Sequence, residues 1–140
     1  MIVIDGEGIP LGVHLDSASP HEISLVDKTL STIAVPRGGP GRPRTRPVRL
    51  IGDKAYDSDP LRTRLKKRGI ELIAPHKENR KKPPTQDGRK LRRYKRRWKV
   101  ERTFAWLGQF KRLLVRWEHE IQMYRAFFLI ACIIITLRRL

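Results

Sequence analysis

The stretch RLIGDKAYDSDPLR, Arg49 to Arg62, passes from strand to helix with an acid at the junction. Val48 to Gly52 is rich in aliphatic residues and reads as a short strand, with Asp53 at its C-terminal end. Asp59 reads as an N-cap and Pro60 as the first position of a helix through Leu61 and Leu65, because proline presets a helical φ. Gly69 ends that helix, and Ile70 to Ala74 is a second short strand before Pro75. A strand, helix, strand unit builds a sheet covered by helices, and an acid at the C-terminal end of a strand stands where α/β folds hold their ligands. Asp53 is placed to bind a metal, and its plainer reading is an Asx turn after the strand. Asp57 and Asp59 do ordinary work as turn and cap residues.

Upstream, Met1 to Ile4 is a short apolar strand, Asp5-Gly6-Glu7-Gly8 a hairpin turn and Ile9 to Leu15 the return strand. Ile23, Val26, Leu30 and Ile33 fall at helical spacing, so a helix runs from His21 to about Ala34, with Ser19 as N-cap, Pro20 at the first position and Glu22 closing a capping box. Residues 36–47, PRGGPGRPRTRP, form a basic loop, and a second breaker-rich basic loop occupies about 76–90. One long helix is expected over about 91–116, with Val100, Phe104, Leu107, Phe110 and Leu114 on one stripe. A last helix, about 121–138, is apolar nearly all round, which predicts burial in the interior. The chain reads as one domain, a mixed α/β sheet flanked by helices.

Thirty-one Lys and Arg face 14 Asp and Glu, a formal charge of +17. Such a field attracts a polyanion, and nucleic acid is the leading partner. The single cysteine, Cys132, excludes an internal disulfide framework and agrees with a reducing cytoplasm. The start has no basic n-region, and the run Ala126 to Leu137 is shorter than the roughly 20 residues a spanning helix needs, so no membrane is expected. The cations concentrate from Lys77 to Arg102, and on the long helix Tyr94, Arg97 or Trp98, and Glu101 share a face. Glu101 is a lone acid among cations. As a salt bridge, Arg97 to Glu101 has the weaker orientation, whereas a carboxylate in a basic setting also suits a metal ion beside a phosphate backbone. Tyr94 and Trp98 interleave the cations as aromatic planes on which unpaired bases stack. His14, His21, His76 and His119 lack metal-ligand spacing.

Three segments together carry a resemblance: GIPLGVHLDSASPHE (8–22), RLIGDKAYDSDPLR with GIELIAPHKENRK (49–62 and 69–81), and YKRRWKVERTFAWLGQFKRL (94–113). With D-x-x-Y-D followed by Y-x-x-R-x-x-x-E at their centre, they are similar to the DDE transposases of bacterial insertion sequences, whose fold is RNase-H-like. The resemblance covers nearly the whole chain. It implies that Asp53 is the second catalytic aspartate and Glu101 the catalytic glutamate, with Tyr94 and Arg97 as companions. DNA contacts then fall to Tyr94, Arg97, Arg92, Arg93, Lys95, Arg96, Trp98, Lys99, Arg102 and Lys111. The family often has a lysine seven residues after the glutamate; here that position is Gly108 and the nearest cation downstream is Lys111.

In the resembled fold the first aspartate lies on the first of three strands before the first helix, and only two strands precede His21. By that count Asp5 ends the second strand, so the expected chain is the C-terminal part of the catalytic domain, residues 1–140, lacking the first, central strand. A fragment, a pseudogene product and a second reading frame joined by frameshifting all fit this, as does the alternative that Asp5 replaces the first acid. The resemblance implies DNA cleavage and strand transfer with two Mg²⁺ or Mn²⁺ ions, acting on insertion-sequence ends and target DNA. It further implies an upstream-frame segment, a homodimer in the synaptic complex and a cytoplasmic, nucleoid-associated location. With Asp53 and Glu101 alone, the chain is expected to be inactive. The rival reading is a basic nucleic-acid-binding protein without catalysis, which would have no reason to bring these two carboxylates together.

Overall fold

Asp5 builds the first hairpin with one carboxylate oxygen. In the computed structural model, which describes residues 1–17 and 20–139, its Oδ1 accepts the backbone N–H groups of Glu7 at 2.7 Å and Ile9 at 2.9 Å. Gly8 takes the positive φ, +89°, that the turn requires. Strands β1 (Ile2–Ile4) and β2 (Pro10–Val13) pair antiparallel, with a register shift between Val3 and Ile4. Their side chains alternate between two cores: Val3 and Leu11 pack on one, Ile2 and Val13 on the other.

Helix α1 (Glu22–Ser31) has His21 as N-cap with no side-chain cap bond, so Pro20 precedes the helix and the expected cap, Ser19, lies outside the described residues. It stops before Ala34 because Thr32 turns its hydroxyl to other work. Oγ1 donates to the Thr29 carbonyl at 2.7 Å and accepts the Val13 N–H at 2.9 Å, tying the helix end to β2. Strands β3 (Arg49–Ile51) and β4 (Glu71–Ile73) pair in parallel around α2 (Asp59–Lys67). The cap of α2 is Ser58, one residue before the expected Asp59, its hydroxyl accepting the Leu61 N–H at 3.4 Å. Leu61 and Leu65 project from α2 into the first core with Val26, Leu30, Ile33, Ile70 and Leu72. Each such buried leucine contributes roughly 1.5–3 kcal/mol.

Three expectations are corrected. The strands form two separate two-stranded sheets rather than one mixed sheet. Met1, Ile2 and Val3 beside the first sheet, and Leu50, Ile51 and Gly52 beside the second, line a common cleft of about 570 Å³. The long helix over 91–116 is divided into α3 (Gly88–Leu91), a 3-10 stretch (Arg92–Arg97), α4 (Trp98–Leu107) and α5 (Lys111–Leu114). In the 3-10 stretch no residue is buried, and like charges four apart, Arg92 with Arg96 and Arg93 with Arg97, disfavour the α-helix. Gly108 ends α4, so the apolar stripe does not continue: Leu107 is buried while Leu114 is exposed. Helix α6 (Ile121–Leu137) is not interior either. It buries Phe128, Ala131, Cys132 and Ile135 against Leu107 and leaves its far side in solvent, because hydropathy shows what a helix can bury and not what is there to cover it.

Candidate active site and nucleic-acid interface

Strand β3 delivers Asp53 to the rim of the cleft, and the 3-10 stretch delivers Arg97 to the same rim. Asp53 spends one oxygen locally: Oδ1 accepts the Ala55 N–H at 2.8 Å and caps the 3-10 turn Lys54–Tyr56. The Asx turn is therefore real, and it leaves Oδ2 facing Arg97 Nη2 at 3.9 Å. Through Nη1 the same guanidinium meets Glu101 Oε1 at 3.0 Å. One cation thus joins the strand-end acid and the helix acid. All three groups are more than a third exposed, so these pairs contribute at most about 1 kcal/mol to stability and act chiefly by aiming the carboxylates. Gly52 helps place Asp53, since a Cβ there would sit 3.0 Å from the Tyr56 ring. Burial, then the nearby Glu22 carboxylate, pushes the Tyr56 phenol well above its ordinary value. Among the described residues, no three His, Cys, Asp or Glu side chains gather as a metal-binding group.

Asp57 is a buried hub that a turn assignment hides. Its side chain is 2% exposed and takes Arg62 Nη2 at 3.0 Å, His76 Nδ1 at 2.9 Å, the Lys77 N–H at 3.0 Å and Arg80 Nη1 at 3.4 Å. Burial alone would raise this carboxyl, but the Lys77 N–H and the His76 and Arg62 side chains outweigh it and hold the pKa at about 2. Arg80 also donates to Asp59 at 2.9 Å. Arg80 and the 76–87 loop are thereby pinned to the start of α2, one turn of chain from Asp53. The partners lie in separate segments, so spacing alone does not reveal the hub.

The cations sort into two classes. Lys99 and Arg102 are committed to the first hairpin: Lys99 Nζ bonds the Gly6 carbonyl, Arg102 Nη2 the Glu7 carbonyl at 2.9 Å, and the buried Thr103 hydroxyl the Gly8 carbonyl at 2.8 Å. Arg102 is stacked between Trp98, 4.7 Å away, and Trp106, 4.8 Å away. Trp98 remains half exposed and Tyr94 partly buried. By contrast Arg92, Arg93, Lys95, Arg96 and Lys111 are exposed and make no ion pair among the described residues, as do Arg37, Arg42 and Arg44 of the 36–47 loop. The second class is free for an external polyanion.

The family model described as Transposase DDE domain matches residues 1–136. The chain belongs to the DDE transposase family. It is also 36% identical over 141 residues to a Burkholderia cepacia protein provisionally named as the transposase of insertion sequence element IS402, with 99% of this chain covered. The chain spans 63% of that relative's length. No solved structure was found to match it. In this DDE transposase chain, the stretch Asp53 to Asp57 follows β3, and Tyr94 to Glu101 runs across the junction of the 3-10 stretch and α4. Among the described residues, no helix is long and apolar enough to cross a membrane.

Proposed function

We propose that this chain is the larger part of a transposase catalytic domain that cuts and joins DNA at insertion-sequence ends by phosphoryl transfer, with Asp53 and Glu101 as two of its three acids. The shared Arg97 guanidinium carries this reading, because a protein that only held nucleic acid has no chemical use for a strand-end and a helix carboxylate aimed at one point. Asp53 Oδ2 and the Glu101 carboxylate are accessible hard oxygen donors, so they fit Mg²⁺ or Mn²⁺. Two bound ions would supply an activated attacking oxygen and a stabilised leaving oxygen. Arg97 keeps the two carboxylates turned toward one point. Arg92, Arg93, Lys95, Arg96 and Lys111 grip the DNA backbone, and Tyr94 and Trp98 offer stacking faces to unpaired bases.

The third acid, in this reading, arrives on a strand from outside these 140 residues. The cleft supports it. The edges of β1 and β3 line it, Leu25 and Val26 stand beneath, and the Phe104 ring, 53% exposed, borders it. An extended segment of roughly four or five residues between those edges would join both ladders into one RNase-H-like sheet. In this reading Asp5 keeps its turn role, its Oδ1 accepting the Glu7 and Ile9 N–H groups, and Asp5→Asn is the variant that tests it.

The test is strand transfer of insertion-sequence-end DNA with Mg²⁺. The 140-residue chain should show none, and a chimera restoring the unmatched part of the IS402 relative should gain it. Asp53→Asn and Glu101→Gln in that chimera should each abolish transfer and keep most DNA binding. Transfer by the unextended chain that Asp5→Asn abolishes would overturn the missing-strand account. DNA binding without transfer in any form would favour the non-catalytic reading.

A further inference from the structure

Between Asp53, which offers Oδ2 to Arg97, and the buried hub Asp57 stands Tyr56. It ends the 3-10 turn Lys54–Tyr56, and its half-buried ring packs on the first core. The ring also lies on Gly52, where a Cβ would stand 3.0 Å from its Cγ and Cδ2, so Gly52 and Tyr56 bracket Asp53. Tyr56 lines the cleft together with Asp53, Arg97 and Glu22, the first residue of α1.

A single 3-10 turn does not hold its own shape, because so few backbone bonds do not offset the fixing of its dihedrals. This turn has the Tyr56 N–H on the Asp53 carbonyl at 3.1 Å and the Asp57 N–H on the Lys54 carbonyl at 3.1 Å. Asp53 Oδ1 is aimed by the Ala55 N–H of the same turn, so its aim is only as firm as the turn. What anchors the far end of the turn therefore decides where Asp53 points. Tyr56 stands at that end, and α1 packs against the turn. Burial, then Glu22 and then Asp53 keep the phenol protonated, which leaves it a hydrogen-bond donor with Glu22 as the strongest of the carboxylates acting on it. As a first-turn acid Glu22 also complements the α1 dipole, a task that needs no partner in the cleft.

We propose that Tyr56 is a positioning residue of the metal site: its phenol donates to Glu22, ties the 3-10 turn to the start of α1 and so holds the Asp53 carboxylate on aim. This rests on the reading of Asp53 as a metal ligand. Two measurements on the 140-residue chain keep the two apart. Backbone hydrogen exchange at the Ala55 N–H reports the aim of Asp53 with no metal present, and Mn²⁺ titration reports the site.

Tyr56→Phe keeps the ring on Gly52 and on the core, and Glu22 is exposed, so no buried acceptor is stranded and the urea midpoint should stay unchanged. Exchange at Ala55 should quicken roughly three- to tenfold, the worth of one ordinary hydrogen bond, and Mn²⁺ affinity should fall by a similar factor. Exchange of the Gly52 N–H, bonded to the Ile73 carbonyl at 3.0 Å, should not move. Glu22→Ala should act as Tyr56→Phe does, and the double variant no more than either, because each removes the same link. Glu22→Gln, whose amide oxygen still accepts, should stay near wild type. Quickened Ala55 exchange in a chain whose wild type binds no Mn²⁺ would support the tie and overturn the metal-ligand reading instead. Unchanged Ala55 exchange in Tyr56→Phe, quickened exchange with unchanged Mn²⁺ affinity, or Glu22→Gln as damaging as Glu22→Ala would each overturn the proposal.

Discussion

Arg97 reaches across from its 3-10 stretch to Asp53 Oδ2 at the end of β3, a separation of 3.9 Å, while its other nitrogen holds Glu101 at 3.0 Å. Removing the guanidinium frees both carboxylates from their competing cation, which outweighs the loss of its aiming because the ion itself then draws the two acids together. Arg97→Ala should change folding stability by less than about 1 kcal/mol, because the partners are well exposed. Mn²⁺ affinity should rise a few-fold, since the ion no longer competes with a guanidinium. A large loss of stability with unchanged Mn²⁺ affinity in a calorimetric titration would make Arg97 a structural residue instead.

Acid should loosen the fold through Asp57. Its folded pKa is about 2, below the ordinary carboxylate value of 3.8, so the stabilisation is fully present above pH 4–5 and is lost as pH falls toward 2. The loss should be about 2 kcal/mol. Urea unfolding at stepped pH reads it, and Asp57→Asn should flatten the profile while costing roughly 3 kcal/mol at neutral pH, because Arg62 and Arg80 are then left under-paired. An acid limb of the same size in the variant would assign the effect to other carboxylates.

The two classes of cation should separate experimentally. Duplex DNA binding should weaken steeply with salt, and Arg92→Gln, Arg93→Gln and Arg96→Gln should each flatten the log-log slope by about 0.9 without loss of stability. Thr103→Val, which strands the buried Gly8 carbonyl, should cost about 1–2 kcal/mol of stability and leave the slope unchanged. Equal effects of all four on the slope would erase the distinction.

Local chemistry was the legible part of this fold. Proline, glycine and the apolar spacing around Asp53 place the strand, helix, strand unit within a residue or two, and the hairpin at Asp5 is as readable, because each depends on neighbours in the chain. What was not legible depends on distant partners. The Asp57 hub draws on Arg62, His76 and Arg80. That Lys99 and Arg102 also hold the first hairpin is not legible from their spacing. Helix α6 has the composition of a buried helix and half the covering.

The central claim is that Asp53 and Glu101 belong to one metal site, which with these two acids alone holds a single divalent cation, and Mn²⁺ titration of the chain, followed by water-proton relaxation, tests it most directly. Weak binding is expected, with a Kd on the order of 1 mM given two carboxylates. Asp53→Asn and Glu101→Gln should each remove it, and the double variant should lose no more than either single one, the non-additivity of a shared ligand set. Binding that survives both single substitutions, or losses that simply add, would contradict the account.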